Sequence, residues 1–498
     1  MNGFLWKVAA GGGVTLVSLL VAKVMTLVST IVIARLLIPS EFGEYSVVVN
    51  LQNFAVALAS FGVPLALAKH ISQWRNVDKQ LAEEMGSALF TVLLLASVIT
   101  AAGLLLLSSP IASDLYRDRG LTPVIRLSAV FVVVATMNLG LSSVLQGCQR
   151  IASLAEINAI AAVFVPLIAF LMVSRFGLEG AILALVASNL ISGALFVVVI
   201  RRTFTISWSA ARRLFQQRAH IRALLSFTIP TLLATLMVVP AYWIAKTTLA
   251  LEAGFAAAGN FQIADSLSQM PMIIPVAMGV SLLPVVSELN SAHPEQVGKS
   301  AQKLLNIVVF AVIPASVLSL PFLKFAIEFL YGFDYREAHV STIMMFAATT
   351  LISTGSVISN VIMGTGRMWH ALLLNAIWLA TFLALLFALI PMYGAEGLAG
   401  AYALSYAAFF VILSVYFSHG FHAKIGGVLL TSLLYLAFVF LYAEFLADDL
   451  FSTRLLVGVV VSALFAILGY VFILGPPERS SLWRAVERGR FWIKGGPD

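Results

Sequence analysis

Cysteine is nearly absent: Cys148 is the only one in 498 residues. The chain can form no internal disulfide and no cysteine-based metal cluster. Charge is scarce as well. Asp, Glu, Lys and Arg make up 11% of the residues, against ~25% in ordinary soluble domains. A soluble chain of this length would form about three domains, and the polar surface to cover them is missing. Intrinsic disorder is excluded because apolar residues reach 60% and charge is low. Catalytic signatures are missing too. There is no His-Glu-x-x-His, and the seven histidines are scattered. Gly298-Lys299-Ser300 resembles the end of a phosphate-binding loop, but His293 stands where that loop needs its first glycine. No ATPase site, metal or cofactor is expected.

Long apolar runs are what the chain does have. A membrane helix needs about 20 mostly apolar residues. That ruler gives about fourteen transmembrane helices, at 12–37, 44–68, 85–107, 123–146, 152–174, 180–200, 223–248, 258–284, 304–326, 339–363, 369–390, 397–417, 425–446 and 453–474. Twelve spans, with two of these runs not crossing, is the alternative count. The first run is expected to be retained rather than cleaved as a leader, since it is long and carries Lys23. The fold class is therefore an all-α membrane protein. Placing the N-terminus in the cytoplasm puts twenty of the thirty Lys and Arg residues on the inner side and nine on the outer, with Lys23 inside a span. The positive-inside rule selects this orientation, with both termini cytoplasmic. It also accounts for the net charge of +7 without a nucleic-acid partner.

The chain repeats itself at an offset of 217. Gln52 meets Gln269, and Gly62-Val63-x-Leu65 meets Gly279-Val280-x-Leu282. Gly147-x-x-Arg150 meets Gly364-x-x-Arg367, and Asn158-Ala159-Ile160 meets Asn375-Ala376-Ile377. Gly177-x-Glu179-Gly180 meets Gly394-x-Glu396-Gly397, and Ser188 meets Ser405. Six spans per unit is an even number, so the repeat is parallel. Such proteins bind substrate between the halves and rock one against the other. The expected organisation is an N-lobe at 1–200, a cytoplasmic linker at 201–222, a C-lobe at 223–417, two further spans at 425–474, and a basic tail at 475–498. Prolines inside spans (Pro230, Pro240, Pro271, Pro275, Pro284, Pro314 and Pro321) either serve as hinges or reflect the general frequency of proline in membrane helices.

Charges inside spans are expensive and by default functional. Lys23 lies near the middle of the first span. Thr15, Ser18, Ala22, Thr26 and Ser29 form a small, polar stripe at helical spacing, flanked by Lys23 and Thr30. One face of this helix thus suits a protein or water interior. Lys23 is either a ligand-facing cation or a lysine that snorkels or pairs with an acid. Asp265 is the matching acid, with Gln262 and Gln269 on its face. It either couples transport to H+ or Na+ or neutralises a nearby lysine. Lys246 follows Tyr242 and Trp243 and reads as an interface anchor first and part of a cationic cavity second. Asn53 and Ser60 face inward or bond between helices. A central cation suits an anionic cargo. Asp448-Asp449 reads as a pair of solvated loop acids, and the basic tail suits anionic headgroups.

The stretch Ile33-Ala34-Arg35-Leu36-Leu37-Ile38-Pro39-Ser40-Glu41-Phe42-Gly43-Glu44-Tyr45-Ser46 resembles the end of the first helix in the polysaccharide-exporter branch of the multidrug/oligosaccharidyl-lipid/polysaccharide superfamily. Ile38 replaces that branch's usual glycine. Further matches are Gly147-Cys148-Gln149-Arg150, the Gly-x-Glu-Gly turn, Ser226-Phe227-Thr228-Ile229-Pro230 and Tyr331-Gly332-Phe333-Asp334-Tyr335. The resemblance implies a V of two six-helix lobes and two extra C-terminal helices that flank a lipid tail. It implies flipping of a polyprenyl-diphosphate-linked oligosaccharide across the cytoplasmic membrane, with basic residues in the cavity, for which Lys23 and Lys246 are candidates. Enzymes of polysaccharide assembly are the implied partners. The other readings are a multidrug or cation antiporter of the same fold, a membrane glycosyltransferase or ligase, and a non-transporting scaffold.

Overall fold

The structure, a computed structural model, describes residues 13–75, 77–201, 204–205, 218–272, 282, 286, 289–290, 293–447 and 449–474. Pro275, Pro284, Asp448, most of the 201–222 linker and the 475–498 tail lie outside the described residues. Thirteen α-helices run through the described part: α1 Gly13–Leu36, α2 Pro39–Ser60, α3 Val63–Trp74, α4 Lys79–Pro110, α5 Leu121–Gly147, α6 Ile151–Ile200, α7 Arg218–Ser268, α8 Pro294–Ser319, α9 Leu323–Leu330, α10 Ala338–Gly364, α11 Met368–Phe421, α12 Gly426–Phe445 and α13 Phe451–Leu468. No strand occurs among the described residues. A chain this apolar can satisfy its backbone in lipid only by helix or closed barrel.

Among the described residues, eight helices are long and apolar enough to cross a membrane, or nine if the bent pair α2–α3 counts as one span. That criterion does not reach fourteen. The run expected to be one span at 44–68 breaks instead at Phe61 and Gly62, which both take left-handed backbone angles, and α3 leaves at 44°. In the other direction, α6 has 50 residues. Straight, it would be about 75 Å long, more than twice the ~30 Å hydrocarbon core. It breaks at Gly177 (φ 53°, ψ −129°), and Gly180 then lies so close to the backbone of Met172 that a Cβ there would collide with it. The chain doubles back as a hairpin of two helices. α11 does the same at Gly394 (φ 53°, ψ −124°), with Gly397 against Leu389. α7 breaks at Gly254 (φ 85°).

The 217-residue offset governs this geometry. α5 and α10 both have 27 residues and end at Gly147 and Gly364. α6 and α11 start at Ile151 and Met368 and break at Gly177 and Gly394. The two six-helix lobes are therefore structural copies as well as sequence copies. The prolines inside spans take different forms: Pro314 is accommodated inside α8, whereas Pro321 sits in a 3-10 turn, Leu320–Phe322, between α8 and α9.

At the end carrying the 37, 254 and 332 turns, the lobes close on each other. The Arg35 guanidinium, at the end of α1, donates to the Leu330 carbonyl at 2.8 Å and to that of Phe329, at the C-terminus of α9. A cation at a helix C-terminus is well placed against the exposed carbonyls. In return the Tyr335 hydroxyl donates to the Ala34 and Leu37 carbonyls at 2.9 and 3.2 Å, and its ring meets Phe42 edge-on at 5.8 Å. Beside this latch, Gly43 of α2 touches the Phe255 carbonyl of α7 so closely that a Cβ would collide with it. α12 and α13 pack on the outside of the second lobe. Tyr435 shares hydrogen bonds with Ser316 and Thr350, at 2.7 and 3.2 Å, and Ser462 donates to the Pro314 carbonyl at 2.9 Å.

Candidate functional site

α7 carries Lys246 on its first arm, turns at Gly254, and brings Gln262 and Asp265 back beside it on the second. The Lys246 ammonium donates to Gln262 Oε1 at 2.7 Å and Asp265 Oδ2 at 3.1 Å. Lys246 is 5% exposed, so it is no interface anchor. The Asp265 side chain keeps 30% exposure. Gln269 Nε2 reaches the other Asp265 oxygen at 3.5 Å. From the first lobe, the Ser46 hydroxyl of α2 donates to Gln262 Oε1 at 3.0 Å. One glutamine oxygen thus accepts from both lobes.

These groups border a pocket of about 300 Å³ at the lobe interface. Asn50 and Asn53 of α2 form one wall; Tyr242, Lys246, Gln262 and Asp265 of α7 form the other. Tyr242 shares a hydrogen bond with Tyr406 at 3.1 Å and stacks on Tyr402 at 5.5 Å. Trp243 stacks on Phe54 at 4.8 Å and donates to Tyr116 at 3.3 Å, which ties α7 to the first lobe.

A second, larger cavity of about 640 Å³ lies inside the first lobe between α1, α5 and α6. Thr26 and Thr30 line it together with Ser18, Ala22 and Ser29, the stripe read from the sequence. Their hydroxyls donate to the Ala22 and Thr26 carbonyls, at 2.8 and 3.0 Å. Lys23 is exposed and is not part of this lining. It stands on the flank of the stripe, two turns before Thr30, and no hydrogen bond or ion pair reaches it among the described residues. An adjoining space of about 500 Å³ continues the cavity past Gln146, Asn158, Asn189 and Ser192 to Asn53. Asn53 therefore borders both this space and the charged pocket.

The eight residues singled out from the sequence divide into two places. Lys246, Gln262, Asp265, Gln269 and Asn53 come together at the lobe interface, and Thr26 and Thr30 open into the first lobe with Lys23 beside them. Ser60 bonds its own helix, to the Ala57 carbonyl at 3.0 Å, rather than a neighbouring one. Sequence reading missed Ser46, Asn50 and the amides of α5 and α6. Isolated polar residues in apolar helices have no pattern to betray them, although the matching pair Asn158 and Asn375 was a signal. Gly298-Lys299-Ser300 lies inside α8, which rules out a phosphate-binding loop there. Burial pushes the Cys148 thiol up against the opposing pull of Arg75 and Arg150, so it is a poor nucleophile. No cluster of three or more metal-ligating side chains occurs among the described residues.

A family model described as "Polysaccharide biosynthesis protein" matches residues 32–340. Both halves of the latch fall inside that match. No curated protein matches in sequence. Among solved structures, the lipid II flippase MurJ in an inward closed conformation is similar, with a TM-score of 0.68 and 15% identity over 91% of this chain and 98% of that one. The Vibrio cholerae MATE transporter VcmN, in a point-mutant form, gives 0.61 and 15% over 85% and 98%. A MOP superfamily transporter from Pyrococcus furiosus gives 0.59 and 15% over 83% and 95%. At such identities the likeness establishes the fold alone.

Proposed function

Because the chain belongs to the polysaccharide biosynthesis protein family, we propose that it is a flippase moving a polyprenyl-diphosphate-linked oligosaccharide from the cytoplasmic to the outer leaflet of the cytoplasmic membrane by alternating access. The observation that carries this reading is Lys246: a buried ammonium bordering a pocket that both lobes wall. A charge so placed is costly unless it has a task, and a diphosphate is the ligand that needs it.

With the N-terminus in the cytoplasm, the Arg35–Tyr335 latch lies on the outer side. The headgroup comes from the cytoplasm and meets Lys23 first, on the flank of the stripe that carries Thr26 and Thr30. The polyprenyl tail stays in lipid beside α12 and α13. At rest Asp265 occupies Lys246. A proton or Na+ on Asp265 removes that anion and frees the ammonium for the diphosphate; release of cargo outside restores the pair. Gln262 and Gln269 hold Asp265 and Lys246 in register through the exchange. Voltage helps as well. A cell interior is negative, and two uncompensated charges moving outward gain about 4–5 kcal/mol per 100 mV. The enzymes that build and polymerise the lipid-linked unit are the partners on either side.

Reconstituted proteoliposomes carrying a fluorescent polyprenyl-diphosphate-linked oligosaccharide test this. Wild-type protein should expose the sugar to the opposite leaflet, and Lys246→Ala and Lys23→Ala should each slow it at least tenfold. Wild-type rate in Lys23→Ala removes Lys23 from the scheme, and no flipping by the wild type rejects the reading. The carboxylate of Asp265, partly exposed on the same pocket beside Tyr242, favours a second reading as a drug or cation antiporter. Dye efflux that Asp265→Asn abolishes would establish that reading instead.

A further inference from the structure

We propose that the chamber inside the first lobe is a seat for the uncharged sugar part of the cargo, chemically separate from the charged pocket and joined to it at Asn53. The identity of the cargo rests on the flippase reading. The chemistry of the chamber stands on three observations of its own.

First, no charged side chain lines it among the described residues. A diphosphate held there would lose water without gaining a counter-charge, and a drug cation would find no carboxylate. Second, Asn53, Gln146 and Asn158 border it with side-chain amides that have no hydrogen-bond partner among the described residues. Each amide offers two donors and an acceptor. A hydroxyl, which both donates and accepts, matches them; an acyl chain would leave them unsatisfied. The volumes, about 640 Å³ and 500 Å³, fall within the range of small-ligand pockets.

Third, the twin lobe has filled the same space. At the 217-residue offset, Ala161, Val165, Leu185, Asn189 and Ser192 of the chamber become Trp378, Phe382, Tyr402, Tyr406 and Phe409. There the rings pack on one another, with Phe382 and Tyr402 at 4.6 Å and Trp378 and Tyr406 at 5.1 Å between centroids. Trp378, Phe382 and Tyr402 are at most 3% exposed. The helix framework therefore does not impose a cavity. Small and amide side chains keep it open in the first lobe. Because Asn53 borders both spaces, an extended ligand with its charge at Lys246 can lay its sugar into the chamber.

The test is equilibrium binding to the full chain in nanodiscs, with maltotriose and N-acetylchitotriose as neutral probes and inorganic diphosphate as the charged one. Saturation-transfer NMR should detect a neutral trisaccharide on the wild type. Ala161→Trp, which installs the twin's ring, should weaken it at least tenfold and leave diphosphate binding unchanged. Lys246→Met should do the reverse. Asn158→Leu gives a second route should Ala161→Trp fail to fold. The inference is overturned if neither trisaccharide binds, if both chamber variants bind sugar like the wild type, or if they lose diphosphate binding instead. Sugar bound in the chamber by a protein that flips no lipid-linked sugar would sink the flippase reading and leave the chamber standing.

Discussion

Lys246 and Asp265 lie 19 positions apart and 3.1 Å from each other. The ammonium is nearly enclosed and the carboxylate is partly wet, so the pair falls short of a fully buried one, whose disruption costs ~3–5 kcal/mol. Asp265→Asn is expected to destabilise the protein by a smaller but measurable amount, because Lys246 keeps only amide oxygens. Lys246→Met combined with Asp265→Leu should recover most of that loss, since it removes both charges. Thermal unfolding of the purified variants checks both outcomes. The acid and its flanking amides were legible in the sequence, because 262, 265 and 269 recur at helical spacing. The pairing was not. Lys246 ends an apolar run after two aromatics, the usual pattern of an interface anchor, and only the reversal at Gly254 turns it inward.

At the level of elements, the two hairpins are set by glycines of two kinds. Gly177 and Gly394 take a backbone conformation that an L side chain enters only under strain, worth roughly 1–3 kcal/mol. Gly180 and Gly397 have no room for a Cβ, because the preceding arm's backbone lies against them. Gly177→Ala should therefore fold with a lowered melting temperature. Gly180→Ala and Gly397→Ala should each splay a hairpin and cut the yield of monodisperse protein far more. Size-exclusion profiles of the three variants, expressed side by side, decide this. The Gly-x-Glu-Gly turns stood out in the sequence because they recur at one offset. Their consequence, that each is the tip of a tight helix pair, depends on backbone contact that no residue pattern encodes. The break at Phe61 was also hidden, since a phenylalanine carries the left-handed angle there.

For the whole molecule, the proposed alternating access requires the two lobes to part where Arg35 and Tyr335 hold them. Weakening that contact should shift the population towards the form open on that side. In a Cys148→Ser background, Asn50→Cys places a thiol in the interface pocket. Under the proposed orientation, adding Arg35→Ala or Tyr335→Phe should speed its labelling by a membrane-impermeant maleimide from outside the cell by several-fold. Equal rates would mean that the latch does not gate the pocket. The architecture was legible from long apolar runs, the parallel repeat and the motifs at 33–46 and 331–335. The sequence hid that these two motifs are each other's partners, since they lie some three hundred residues apart and in different lobes.

That partnership is written in side chains on one side and main chain on the other. The guanidinium grips carbonyl oxygens of 329 and 330, and the phenol grips those of 34 and 37. Every amino acid offers the same oxygen, so drift at those four acceptor positions does not remove the acceptors. The tolerance runs one way: once either donor is lost, no second-site replacement across the seam can restore the bond it made.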